Sequence, residues 1–137
     1  MNDKKISIEV RRYLERELKD YKDNKAYIEE LRLDIIEASP NIDVGVPSSP
    51  NKGNEGQTAK VHKLMTNTII KRLETICYHI EKVLSELDDI KYEFYVRCYE
   101  KRQSKVKICM EMPITERTYD RYKNKIIYSL AEELGFI

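Results

Sequence analysis

Residues 61–112 contain neither glycine nor proline. With nothing in it that turns or breaks a helix, so long a stretch is expected to be helical. The chain is 36% charged, has no tryptophan and has only two phenylalanines, a balance typical of helical proteins rich in surface ion pairs. The expected fold class is all-α. The missing punctuation is gathered at 38–57, which holds Pro40, Pro47 and Pro50, Gly45, Gly53 and Gly56, and Ser48 and Ser49. That segment reads as a flexible Pro/Gly/Ser/Asn loop. Its Gly53-Asn54-Glu55-Gly56 stretch lacks the lysine and hydroxyl of a phosphate-cradling loop, and no strand precedes it. The expected organisation is a helical region at 1–37, the loop at 38–57, a long connecting or oligomerisation helix at 58–87 and a C-terminal domain at 88–137.

Within 1–37, Val10, Leu14, Leu18 and Tyr21 form one helical stripe and Ile28, Leu31 and Ile35 a second, with Asp23-Asn24 between them. Two helices or one bent helix fit equally. Within 58–87, Ile69, Leu73, Ile76, Ile80, Val83 and Leu87 alternate at spacings of four and three, a heptad seam. A helix of about 30 residues is about 45 Å long, enough to join a binding head to an oligomerising body. The seam serves either a second subunit or the N-terminal helices of its own chain. At 137 residues each half buries a modest core, so association is an accessible route to further apolar burial.

Several function classes find no support. Cys77, Cys98 and Cys109 are odd in number and form no Cys-x-x-Cys pair, which argues for reduced packing residues rather than disulfides or zinc. His62 and His79 lack acidic or cysteine neighbours at metal spacing, and nothing nucleophilic or basic converges on Asp88-Asp89 or Glu132-Glu133. No cofactor and no enzymatic activity are expected, and Asp88-Asp89 suits a helix start. No apolar run approaches the roughly 20 residues that span a bilayer, and Met1-Asn2-Asp3-Lys4-Lys5 lacks a signal-peptide core, so a cytoplasmic location without membrane association is expected.

The C-terminal domain carries the chemistry. Ile90, Phe94, Cys98 and Tyr95 or Tyr99 suit the apolar face of its first helix. Val106, Cys109 and Met112 recur at three-residue spacing and are expected to face a core, with Cys109 small enough for two helices to cross closely. Ile114 plugs a turn, and Thr115 is a good N-cap for the next helix. There Tyr119, Tyr122, Ile126, Leu130 and Leu134 share an inward stripe. Its outer face carries Glu116, Arg117, Asp120, Arg121, Asn124 and Lys125, near the N-terminus, where a helix-turn-helix places its base-reading side chains. Between 97 and 125 there are nine basic and four acidic residues, a local charge of +5 in a chain of net +1, whereas 1–37 has nine basic and ten acidic. That asymmetry favours a phosphate-binding footprint over a helical hairpin with a solvated outer face.

The Tyr13-Leu14-Glu15-Arg16-Glu17-Leu18 start, the 31–40 stretch, the loop and the ending Ile114-Thr115-Glu116-Arg117-Thr118, Lys125-Ile126-Ile127 and Leu130-Ala131-Glu132-Glu133-Leu134-Gly135 together resemble the RinA family. The likeness covers 11–135. More distantly, the last fifty or so residues resemble the promoter-reading C-terminal domain of sigma factors and ArpU-type late regulators. The resemblance implies a phage-encoded activator that binds duplex DNA at an operator upstream of late packaging or morphogenesis genes and recruits the host RNA polymerase. Glu116, Arg117, Asp120 and Arg121 are then the base-edge candidates, and Lys101, Arg102, Lys105, Lys107, Lys123 and Lys125 the phosphate candidates. Pro113 replaces the glycine usual in such turns, and since its ring opposes positive φ the turn is expected to be built differently. A small-terminase-like packaging protein and a protein-only helical adaptor are the alternatives.

Overall fold

The computed structural model describes residues 6–38 and 52–137. They form helices α1 (Ile8–Ala38), α2 (Lys52–Ser85), α3 (Asp89–Tyr95), α4 (Lys105–Glu111) and α5 (Glu116–Glu133), with a π-helical turn Val96–Glu100 continuing α3. Among the described residues there is no strand, so the fold is all-α as expected.

Both long helices differ from their anticipated limits, α2 ending at Ser85 where 87 was expected. α1 is one helix of 31 residues, running through Asp23-Asn24 without a break. Ser7 Oγ accepts from Val10 N at 3.2 Å at its start. α2 begins at Lys52, so residues 52–57 are helical where a loop through 57 was expected. Gly53 and Gly56 lie in its first two turns, where a glycine costs about 1 kcal/mol relative to alanine and a helix of 34 residues can absorb it. The rest of the expected loop, 39–51, lies outside the described residues.

The chain divides into two compact units. One comprises Met1–Lys22 and Ile76–Ile137, the other Asp23–Thr75. The first has the larger core. Leu14, Ile80, Phe94, Tyr95, Tyr99, Ile108, Ile126, Ile127, Leu130 and Ala131 are each 0% exposed, with Leu18 and Val83 barely more. This core draws on every helix, so the N-terminal half of α1 belongs structurally to the C-terminal part of the chain. Asp88 caps α3 by accepting from Lys91 N at 2.8 Å, and that backbone bond holds its carboxyl below the usual carboxylate range. α5 ends in a Schellman closure, with Gly135 N donating to Glu132 O at 3.1 Å and Phe136 N to Ala131 O at 2.8 Å. Gly135 takes the positive φ of 84° that this closure requires. The closure also sets Phe136 edge-on to Tyr13, 6.1 Å between ring centres.

The second unit is a two-helix hairpin with little interior. Ile28, Thr66 and Ile70 are buried, Leu31, Ile35 and Leu73 are half-buried, and Arg32 pairs with Glu74 across the hairpin. Most of its other large apolar side chains lie open. The expected heptad seam therefore has mixed surroundings: Ile76, Ile80 and Val83 are buried in the first unit, Leu73 and Leu87 are half-buried, and Ile69 is 41% exposed.

If the two units are as unequal as their cores suggest, substitutions on α1 will differ sharply along its length. Leu14→Ala should cost about 2–5 kcal/mol in denaturant unfolding, while Leu33→Ala, 55% exposed, should stay within about 0.5 kcal/mol.

Candidate nucleic-acid interface

Helix α4 is short and capped at its start, Ser104 Oγ accepting from Lys107 N at 3.2 Å. In seven residues it can present only one inward turn, and that turn is centred on Ile108. The expected Val106, Cys109, Met112 stripe is thus rotated: Val106 is exposed, Cys109 and Met112 are half-buried, and the helix is anchored by the intervening Ile108. The reason lies in what α4 packs on, since α5 and the π-helical turn meet it on the side that Ile108 occupies. A seven-residue periodicity gave too little signal to choose among adjacent stripes.

The turn that follows keeps a positive φ, contrary to expectation, and places it at Pro113 (φ 24°). A proline ring favours a φ of about −65°, so this residue is strained. Ile114 is half-buried beyond it, and Thr115 is extended (φ −78°, ψ 162°) and caps α5 as anticipated, Oγ1 accepting from Thr118 N at 3.0 Å.

Helix α5 turns Tyr119, Ile126, Ile127, Leu130 and Ala131 inward. Phe94 stands edge-on to Tyr119 and Tyr122, with ring centres 5.1 and 5.6 Å away. Tyr119 is 6% exposed and its hydroxyl lies 3.7 Å from Cys98 Sγ. Burial pushes both groups toward their protonated forms, so Tyr119 is a core residue and Cys98 a packed thiol. Near the other end of α5, Glu133 accepts from His79 Nδ1 at 3.0 Å, and this bond, aided by Lys82, keeps its carboxyl below the usual range. Among the described residues no three His, Cys, Asp or Glu side chains gather as metal ligands would.

The charged candidates fall into two groups. Lys105 Nζ lies 3.1 Å from Asp120 Oδ1, Lys123 Nζ 2.9 Å from Glu15 Oε1, and Arg102 Nη2 3.9 Å from Asp20 Oδ1. Lys105 and Lys123 also sit over the Tyr119 ring, 5.2 and 5.9 Å from its centre. These cations, and Asp120, are engaged within the fold. Glu116, Arg117, Arg121, Lys125, Lys101 and Lys107 are exposed and form no ion pair with another described residue. Arg117, Arg121 and Lys125 stand four residues apart in succession, so they make one outward basic stripe along the first half of α5.

Sequence reasoning missed the contribution of α1. Arg11 Nη2 donates to Asn124 Oδ1 at 2.7 Å, and Glu15 accepts from Lys123 and, at 3.4 Å, from the Tyr99 hydroxyl. These contacts hold α5 from the side. Nothing local in the Arg11 to Glu15 pattern names a partner 113 residues away.

The structure thus sets a capped helix with an exposed basic outer stripe on a helical core, immediately after a tight turn. A known relative sharpens this: the transcriptional activator rinA of Staphylococcus phage phi11 is 33% identical over 137 aligned residues, spanning 95% of this chain and 94% of that protein. The chain belongs to the RinA family of phage transcriptional activators. No family model matches it, and no solved structure does.

Proposed function

We propose that this protein is a sequence-specific duplex-DNA-binding activator of late packaging or morphogenesis genes, acting in the host cytoplasm with the host RNA polymerase and without a catalytic step. The observation that carries the DNA-binding reading is the exposed, unpaired stripe Arg117, Arg121, Lys125 on a helix capped immediately after a turn. In this reading α4, the turn and α5 are a sigma-like helix-turn-helix with α5 in the major groove. Arg117 and Arg121 suit bidentate hydrogen bonds to guanine, and Glu116 can accept from cytosine N4. Lys101, Lys107 and Lys125 supply phosphate contacts directly. Lys105, Lys123 and Arg102 must first loosen an acidic partner, and Asp120 reads a base only if it releases Lys105. The late-gene assignment rests on the resemblance to the RinA family, and the cytoplasmic one accords with there being no described helix long and apolar enough to cross a membrane.

The same reading includes a homodimer formed through the Asp23–Thr75 hairpin. Leu33, Ile36, Val61, Leu64, Met65 and Ile69 are each 41–66% exposed there, several hundred Å² of apolar surface, roughly the scale that marks an interaction site. Two paired hairpins make a four-helix bundle, which gives those side chains an interior. Charge supports a second copy as the occupant. The outer surface of α1 in this unit carries Asp23, Glu29, Glu30 and Asp34 against Lys25 and Arg32, a net negative charge, and that of α2 carries Lys60, Lys63, Lys71 and Arg72. A two-fold axis can lay the acidic helix of one copy beside the basic helix of the other.

Binding is tested by fluorescence titration against DNA flanking the gene, at several salt concentrations and with random competitor duplex. Arg117→Ala or Arg121→Ala should lower discrimination by about 1–3 kcal/mol at one base position. Weak, uniform binding by the unaltered protein would favour a packaging role, and no binding at low salt would return a protein-only adaptor. For the dimer, sedimentation equilibrium should give twice the chain mass, and Met65→Glu with Ile69→Glu should give a helical monomer. A wild-type monomer at every concentration would remove the second copy.

A further inference from the structure

The ion pair between Lys105 and Asp120 lies at the edge of the basic stripe. Lys105 Nζ, in the first turn of α4, donates to Asp120 Oδ1 at 3.1 Å, and Asp120 stands one turn on from Arg117 and next to Arg121 on α5. A direct contact therefore joins this cation to the helix that carries the stripe. The ammonium is held from a second side as well, 5.2 Å from the centre of the buried Tyr119 ring.

This pair differs from the other two that engage phosphate candidates. Lys123 and Glu15 are only 25% and 21% exposed, so their bond belongs to the packing of α1 on α5. Arg102 and Asp20 stand 3.9 Å apart, and neither belongs to α5. Lys105 and Asp120 are 39% and 60% exposed, and an ion pair so open to water is weak enough to exchange partners. The exchange has a condition. When Lys105 turns to a phosphate, Asp120 is left as an unpaired carboxylate beside polyanionic DNA, where it is repelled unless a base edge offers it a hydrogen. In the major groove the amino group of cytosine does so, whereas guanine presents only acceptors.

We propose that the Lys105–Asp120 pair couples base reading to phosphate binding. A duplex with an amino group opposite Asp120 lets the pair open, so that Asp120 binds the base and Lys105 the backbone together; a duplex without one leaves it closed. The inference rests on the DNA-binding reading above and makes Lys105, which touches no base, a determinant of specificity. Lys107, two residues away, is exposed and has no ion-pair partner among the described residues, so it serves every sequence alike. One cation is thereby withheld from random DNA, which lowers non-specific affinity without lowering the charge of the protein.

The test uses the full chain and two fluorescein-labelled duplexes, one of random sequence and one selected by the protein from a randomised pool, followed by anisotropy across a salt series. Asp120→Asn frees Lys105 and should tighten the random duplex at low salt. The slope of log affinity on log salt should steepen by about 0.9, so that binding falls about threefold more than wild type between roughly 50 and 200 mM salt. When Lys105→Ala accompanies it, that added slope should vanish. Lys105→Ala alone should weaken the selected duplex more than the random one, while Lys107→Ala weakens both by the same factor. Both side chains of the pair lie at the surface, so each variant should melt with the wild type. An equal loss on both duplexes for Lys105→Ala, a gain from Asp120→Asn that persists without Lys105, or a pool that yields no preferred sequence would overturn the coupling and leave DNA binding standing. Failure of the unaltered protein to bind any duplex at low salt would overturn both.

Discussion

The burial of Leu14 and Leu18 holds the first unit together. Both come from the first helix, and both are buried in a unit whose other buried side chains come from the second half of the chain, among them Ile80 and Val83 of α2 and the Tyr95 and Tyr99 rings. Helices α3, α4 and α5 are short or singly faced, and a set of such helices leaves an apolar side open unless something long lies across it. The first half of α1 serves that purpose. Its polar flank then bonds to α5, Arg11 to Asn124 and Glu15 to Lys123, and to the π-helical turn, Glu15 to Tyr99 and Lys22 to Glu100 at 3.0 Å. The orientation of the basic stripe is a consequence of apolar packing that begins near the other end of the chain.

The hairpin Asp23–Thr75 obeys the same physics with a different outcome. Among the described residues its two helix segments bury only Ile28, Thr66 and Ile70 well, and two helices alone cannot enclose both flanks of an apolar stripe. The same long helices thus have a rigid half, committed to a core, and a half whose apolar surface is available.

Local chemistry was legible in the sequence wherever one residue decides it. Thr115 and Asp88 cap their helices because a hydroxyl or carboxylate can reach an unpaired amide two or three residues on. The inward stripe of α5 was also legible, its 18 residues giving the periodicity room to declare itself. Ile127 and Ala131 were missed only because they widen that stripe. α4 was misjudged by one position, since seven residues cannot separate Ile108 from its neighbours. The Pro113 turn went against local preference, as turns do when packing on both sides fixes the path. Least legible was which cations are free. Lys105 and Arg121 look alike in a sequence, and only the fold reveals that Asp120 holds one of them while the other faces outward.

The span of the Arg11 to Asn124 bond, 113 residues, also bears on how the molecule is made. A chain emerges from the ribosome at about 5–20 residues per second, and contacts of such high sequence separation form slowly because the intervening loop must first be closed. During synthesis α1 is complete long before Asn124 exists, with Leu14 and Leu18 uncovered for several seconds. Helix α5 acquires its lateral support only when nearly the last residue has been added. A chain that stops before Asn124 therefore lacks the bond that ties α1 to α5.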